Sequence, residues 1–114
     1  MHELPFVTEL VRIANEEARR QGLKRVARID VVTGELASLV DEVIQMYFET
    51  IAEGALCEGA VLRFEHPYAM LRCARCGAEF PHDHGFRCPG CGGDGMLVKG
   101  SGRECYIRSI AGFS

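Results

Sequence analysis

The sequence predicts an α+β fold in which a small sheet carries two helices, and a cysteine-rich segment is inserted before the last strand. Three observations predict this arrangement. Two stretches repeat apolar residues with the period of a helix, three stretches alternate as strands do, and four cysteines form two C-x-x-C pairs. A chain of 114 residues is long enough for one ordinary domain, or for one small domain with a metal-stapled segment.

The composition argues against several classes of protein. The formal net charge is −3, so the basic surface typical of nucleic-acid-binding proteins is missing and no nucleic-acid partner is expected. No apolar run approaches the roughly 20 residues that span a bilayer, and Glu9, Glu16 and Glu17 interrupt any secretory leader. We therefore expect a cytoplasmic protein without a membrane span, in which cysteines are more typical of metal ligands than of disulfides.

The first helix is predicted over residues 5–21. Pro5 suits the first helical position because its missing N–H would have no partner there, and Gly22 suits a left-handed cap at the end. The predicted buried stripe follows the i, i+3, i+4, i+7 spacing and consists of Val7, Leu10, Val11, Ala14 and Ala18.

Two strands are predicted to follow in the first half of the chain. The first covers residues 24–33, and its alternation places Ala27, Ile29 and Val31 on one face, with charged side chains on the other. The second covers residues 60–66, where apolar and polar residues again alternate.

A second helix is predicted between these two strands. Ser38 with Asp41 three residues later is typical of a capping box, and Gly54 closes the helix. Its predicted apolar stripe consists of Val40, Ile44, Tyr47, Phe48 and Ile51.

The composition changes at Tyr68 and divides the chain into three segments. Residues 1–66 contain the helices and strands above, residues 67–102 are rich in Cys, Gly and Arg, and residues 103–114 alternate again. The middle segment has little apolar surface to bury, so we expect it to need a metal to fold. Residues 103–110 (RECYIRSI) are predicted to form a last strand that returns to the sheet of the first segment.

Two C-x-x-C turns, called knuckles below, predict a tetrahedral zinc site in the middle segment. Its ligands are Cys73, Cys76, Cys88 and Cys91. Four thiolates also suit a single iron ion, and disulfides or redox dithiols are further alternatives; zinc is favoured because the protein has no other redox feature. Four protein ligands close the site, so we expect a structural role, not a catalytic one.

The N-terminus offers a metal site of a different kind. His2 is too large for the preceding methionine to be removed, so the Met1 amine and the amide and imidazole nitrogens of His2 can close two fused chelate rings. Such a planar, nitrogen-rich set favours Ni(II) or Cu(II). Glu3 could add an oxygen ligand, as could Asp41 or Glu42. The alternative is that His2 is a solvated terminal residue.

Five other residues are weighed as ligands or reactive groups. His82 and His84 lie between the knuckles and could bind a second metal, but a solvated polar loop is the favoured interpretation. His66 is interpreted as a linker residue. Cys57 and Cys105 lack paired spacing and are expected to be small buried hydrophobic residues.

The chain resembles the HypA/HybF family of hydrogenase maturation nickel chaperones in four features that span its length. It opens with MHEL and contains the stretch VVTGELASLVDEVIQMYFETIAEG. It has the knuckles CARCG and CPGCGG, and it ends with RECYIRSI. The opening tripeptide combined with the paired knuckles is the most specific part of this resemblance.

The resemblance implies a nickel metallochaperone, not an enzyme, which delivers Ni(II) to the large subunit of [NiFe] hydrogenase. It implies a HypB-like GTPase as partner, and in some members a further role in urease maturation. By position, His2 is the principal nickel ligand, beside the Met1 amine and Glu3, and Asp41 matches an acidic position tied to nickel in some members. It also implies a zinc domain inserted before the last strand of a nickel-binding domain.

Two other classes of function compete with this interpretation. A zinc-ribbon module that binds nucleic acid or another protein would share the knuckles, although the acidic balance disfavours nucleic acid. A thiol–disulfide enzyme would need a free thiolate at a helix N-terminus, whereas both cysteine pairs are predicted to hold metal. No nucleophile and base stand at the spacing of a hydrolytic enzyme.

Overall fold

A computed structural model describes residues 3–83 and 85–114 of the chain. Within these ranges the chain forms two helices and six strands. In chain order they are α1 (Glu3–Gln21), β1 (Arg25–Thr33), α2 (Asp41–Ile51), β2 (Val61–Glu65), β3 (Met70–Cys73), β4 (Glu79–Pro81), β5 (Gly95–Leu97) and β6 (Cys105–Phe113).

The larger sheet has the strand order β2-β1-β6 and lies with the two helices. β1 is central: it pairs in parallel with β2 and antiparallel with β6. The parallel pair is connected through α2, as a β-α-β crossover requires. The main core lies among α1, α2, β1 and β2, and its largest fully buried side chains include Phe48, Leu10, Ile29 and Ile44.

The cysteine-rich segment forms a second, smaller antiparallel sheet with the order β4-β3-β5. Among its described residues, the buried apolar cluster consists of Leu71, Cys73, Phe80 and Cys88. Two of these four are cysteines, so the aliphatic and aromatic core is too small to stabilise the segment without another source of free energy. The predicted α+β fold with an inserted four-cysteine segment is confirmed.

The helix α1 buries the stripe predicted from its sequence, but it begins earlier. All five predicted stripe residues are buried, and Glu3 and Leu4 are already helical. Pro5 is therefore not the first helical residue, although it lies in the first turn, where no N–H has an intrahelical partner. Gly22 has φ 74° and its N–H donates to the Arg19 carbonyl, which ends the helix as predicted.

The strand β1 does not keep the predicted alternation along its whole length. Val26 is fully buried and Ala27 is only half-buried, whereas Ile29 and Val31 are buried as expected. The register with β6 shifts between Val26 and Arg28, so Ala27 is an extra residue in a bulge. A bulge inserts one residue and reverses the faces of the residues before it, which explains the error.

The predicted capping box of α2 is wrong. The N-cap residue is Val40, which makes no side-chain cap and is about half-exposed, and Ser38 lies outside the helix with φ 60°. Instead, the carboxylate of Glu3 accepts a hydrogen bond of 3.0 Å from the Val40 N–H. The acceptor at this helix end therefore comes from α1. The helix also ends at Ile51, before the predicted Gly54.

No helix in the described ranges has both the length and the apolar character needed to cross a bilayer.

Candidate metal centre

Among the described residues, four cysteines bring their sulfur atoms together as a possible metal site. The Sγ atoms of Cys73, Cys76, Cys88 and Cys91 all lie within 4.8 Å of one another. Across the knuckles, the sulfur atoms of Cys73 and Cys91 are 3.4 Å apart, and those of Cys76 and Cys88 are 3.7 Å apart. A disulfide needs about 2.05 Å, whereas a tetrahedral zinc ion with bonds of about 2.3 Å separates its sulfur ligands by about 3.8 Å. The arrangement therefore fits zinc and not disulfides.

The two knuckles are built alike. In each, the N–H of the glycine after the second cysteine donates to the carbonyl of the first cysteine: Gly77 to Cys73 at 3.0 Å and Gly92 to Cys88 at 2.9 Å. Gly77 and Gly92 have φ angles of 78° and 74°, a conformation that favours glycine. The turn places both cysteines of a pair on one side, so that two thiolates can reach the same ion.

Backbone N–H groups favour the thiolate form of the first cysteine in each knuckle. The pKa of Cys73 is lowered to about 6, mainly by the N–H of Cys76. The pKa of Cys88 is lowered, mainly by the N–H of Cys91. The N–H of Gly93 lowers the pKa of Cys91, but the sulfur of Cys73, burial and the other two sulfur atoms together raise it to about 11. A divalent cation at the centre would favour the thiolate of Cys91 as well, since a coordinating thiol loses its proton outright.

Gly93 is a residue of this site that sequence reasoning missed. A Cβ atom at this position would lie 2.8 Å from the sulfur of Cys73 and 3.3 Å from the sulfur of Cys91. Glycine is therefore required here because the sulfur atoms leave no room for a Cβ. The reason differs from that at Gly77 and Gly92, which have positive φ angles. The sequence signal for it is the pair of glycines that follows Cys91.

The predicted nickel ligands Met1 and His2 lie outside the described residues, and Glu3 is the first residue after them. Glu3 is buried, and its carboxylate accepts the Val40 N–H at the start of α2. This hydrogen bond is the main cause of the lowered pKa of Glu3. The contact brings the beginning of α1 next to the beginning of α2, where Asp41 lies.

Asp41 is paired with His66. The interpretation of His66 as a linker residue is therefore wrong. The His66 Nε2 atom lies 2.7 Å from Oδ2 of Asp41, and its Nδ1 atom lies 2.9 Å from the backbone oxygen and from Oγ1 of Thr33. These contacts raise the pKa of His66, first through the Thr33 backbone and then through Asp41. Glu42, the alternative to Asp41, is exposed.

His82 is also partnered, contrary to the predicted solvated loop. Its Nδ1 atom lies 3.0 Å from Oε1 of Glu35, and the same oxygen accepts the N–H of Ala69 at 2.9 Å. The ring of His82 packs on that of Phe86, with centroids 4.3 Å apart. Glu35 belongs to the loop after β1, so this cluster connects the two parts of the protein. His84 lies outside the described residues.

The two unpaired cysteines differ from each other. Cys57 is fully buried, as predicted, and burial raises the pKa of its thiol. Cys105 is exposed at the start of β6, so its predicted burial is wrong. Neither belongs to the group of four sulfur atoms.

The fold and the paired knuckles define a two-part protein with a four-cysteine metal centre, and comparison with known proteins gives its family. A family model described as "Hydrogenase/urease nickel incorporation, metallochaperone, hypA" matches residues 1–112. The chain therefore belongs to the HypA family of nickel metallochaperones, which act in hydrogenase maturation.

Relatives agree with this family, and a solved structure agrees with the fold. Hydrogenase maturation factor HypA of Caldanaerobacter subterraneus subsp. tengcongensis is 40% identical over 111 residues, which cover 96% of this chain and 97% of the relative. The same factor of Moorella thermoacetica is 39% identical over 113 residues, covering 98% and 99%. The solution structure of the Ni metallochaperone HypA from Helicobacter pylori has the same fold, with a TM-score of 0.68 and 24% identity, and covers 100% of this chain and 99% of that one.

Proposed function

We propose that this protein binds Ni(II) at its N-terminus and delivers it to the large subunit of [NiFe] hydrogenase, while a zinc ion at the four cysteines stabilises the inserted segment. His2 is the principal nickel ligand, with the Met1 amine, Glu3 and Asp41 completing the set. The zinc ligands are Cys73, Cys76, Cys88 and Cys91, which are the four that meet within 4.8 Å.

The observation that carries the zinc part of this proposal is the geometry of the four sulfur atoms. Their spacing matches a closed tetrahedral cage, and such a cage leaves no open coordination position on the ion. A chaperone must also release its cargo. A site made by a chain terminus and a few carboxylates suits transfer, because fewer ligands need to be exchanged when the acceptor takes the ion.

The position of Glu3 supports the nickel part. Its hydrogen bond to Val40 holds the third residue of the chain beside the first turn of α2. Asp41 is in that turn, so Glu3 and Asp41 lie at the same end of α2. The proposed ligand set therefore needs no large rearrangement of the described residues.

The family suggests the partners. A HypB-like GTPase would act with this protein during nickel transfer, and urease maturation is a second possible use of the same cargo, since the family description names both hydrogenase and urease. These steps take place in the cytoplasm. The competing zinc-ribbon module has no specific observation in its favour beyond the shared knuckles.

A Ni(II) titration of the untagged protein beside its His2→Ala variant tests this function. We expect one nickel site in the parent protein, and at least a hundredfold weaker binding in the variant, because an imidazole and its chelate ring are lost. The control is His82→Ala, which removes another imidazole and should bind nickel as the parent does. Unchanged nickel affinity in His2→Ala would contradict the proposed site.

A further inference from the structure

We propose that His66 is a positioning residue for nickel binding: it holds the Asp41 carboxylate in place at the carboxyl ends of β1 and β2. This inference rests on the nickel site proposed above, and it concerns a histidine that sequence reasoning assigned to a linker. The imidazole lies between a backbone oxygen on one side and a carboxylate on the other.

The fold brings the three groups together from distant parts of the chain. Thr33 is the last residue of β1, and His66 directly follows β2. Because β1 and β2 are parallel and Val32 is paired with Glu65, these two residues meet at the same edge of the sheet. Asp41 is the first residue of α2, the helix that connects the two strands. The carboxyl edge of a parallel sheet is where α/β proteins commonly place ligands.

The hydrogen bonds engage both ring nitrogen atoms of His66. Nδ1 lies 2.9 Å from the backbone oxygen and from Oγ1 of Thr33, so it either donates to the backbone oxygen or accepts from the hydroxyl, according to the tautomer. Nε2 donates to Oδ2 of Asp41 across 2.7 Å. Because both nitrogen atoms are engaged, His66 acts on Asp41 and is not itself placed to bind the metal.

The two carboxylate oxygens of Asp41 have different surroundings. Oδ2 is held by His66, whereas Oδ1 is buried and has no hydrogen-bond partner among the described residues. A buried carboxylate oxygen without a partner is costly unless another group binds it. The N–H of Val40, the residue before Asp41, donates to the carboxylate of Glu3. The side chains of Asp41 and Glu3 are therefore at the same end of α2.

Fixing the Asp41 side chain before the metal binds strengthens metal binding by lowering its entropic cost. A free aspartate in the first turn of a helix must give up side-chain freedom when it coordinates an ion. His66 is itself fixed by Thr33, which is 1% exposed, and its ring stacks on Phe64 at an angle of 4°. Groups that orient ligands in this way typically contribute 10- to 100-fold to metal affinity.

A double-mutant cycle distinguishes positioning from a purely structural role. Ni(II) is titrated into the full-length, zinc-loaded parent, His66→Ala, Asp41→Asn and the double variant. We expect His66→Ala to weaken nickel binding by roughly 10- to 100-fold, and to have no further effect once Asp41 is changed, because it acts only through that residue. His66→Gln, whose amide can still donate to Asp41, should restore part of the affinity.

Control measurements distinguish a specific loss of nickel affinity from a loss of zinc or of the fold. His82→Ala removes a histidine that pairs with a different carboxylate, Glu35, and should leave nickel affinity unchanged. Zinc content and melting temperature are measured on every variant. The inference is overturned if His66→Ala binds nickel normally, if its effect adds to that of Asp41→Asn, or if it loses zinc or unfolds. The His2→Ala titration tests the proposed function separately: loss of nickel binding in that variant together with normal binding in His66→Ala overturns this inference alone.

Discussion

At the scale of single residues, the four-cysteine centre depends on neighbours that carry no ligand atom. Gly93 lies close to the sulfur atoms. A Cβ at this position would lie 2.8 Å from the sulfur of Cys73, which is shorter than an ordinary contact distance. Gly90, in the same knuckle, is different: a Cβ there would be 3.8 Å from the sulfur of Cys88. The sulfur atoms therefore exclude a side chain at Gly93 but not at Gly90.

Gly93→Ala is expected to weaken zinc binding by about tenfold or more, because the sulfur cage must shift to admit the methyl group. Competition with a chromogenic zinc chelator measures the change. Gly90→Ala is the matched control and should hold zinc as the parent does. Equal zinc affinity in the two variants would show that the cage tolerates the added carbon.

The residues that could be predicted from the sequence are those whose partners are near in the chain. The knuckles are local turns, so their cysteines and the positive φ angles of Gly77 and Gly92 followed from spacing alone. His66 could not be predicted, because its partners are 25 and 33 residues away and meet it only through the parallel pairing of β1 and β2. A histidine before a proline carries no local signal of such contacts.

At the scale of elements, the same distinction explains the helices and strands. The stripe of α1 is set by its own 3.6-residue period, and every predicted member is buried. The bulge at Ala27 is set by the pairing of β1 with β6, a strand about eighty residues later in the chain. The acceptor at the start of α2 is Glu3, which belongs to another helix. Local capping rules cannot anticipate a partner from a different element.

The loop after β1 is tied to the inserted segment by Glu35, whose carboxylate accepts bonds from Ala69 and His82. Glu35→Ala is expected to speed hydrogen exchange of the Ala69 amide severalfold, since that N–H loses its acceptor. Exchange measured by NMR checks this, with Glu58→Ala, an exposed carboxylate, as the control. Unchanged protection of Ala69 would mean that this contact does not hold the two parts together.

The hydrogen bonds of Glu35 are expected to make the stability of the fold depend on pH. The pKa of Glu35 is lowered, first by the Ala69 N–H and then by His82. A lowered folded-state pKa means that the carboxylate stabilises the fold above its unfolded pKa, and that this contribution is lost as the pH falls through the folded value. The melting temperatures of the parent and Glu35→Gln should therefore differ at neutral pH and converge in acid.

At the scale of the whole molecule, two metals are assigned to two parts of an elongated protein, which measures 53 × 27 × 18 Å. The helices and the larger sheet have an apolar core of their own, whereas the apolar cluster beside the smaller sheet has four members among the described residues, two of them cysteines. We infer that residues 67–102 fold as a zinc-dependent unit and that the remainder folds without zinc.

Metal counts in the parent and two variants test whether the two metals occupy separate sites. Zinc and bound nickel are counted in the parent protein, in His2→Ala and in Cys73→Ala, each purified without a tag and supplied with both metals. We predict that His2→Ala keeps its zinc and loses nickel, and that Cys73→Ala loses zinc but still binds nickel in a His2-dependent way. Loss of both metals in either variant, or retention of nickel in His2→Ala, would contradict the assignment of the two metals to separate sites.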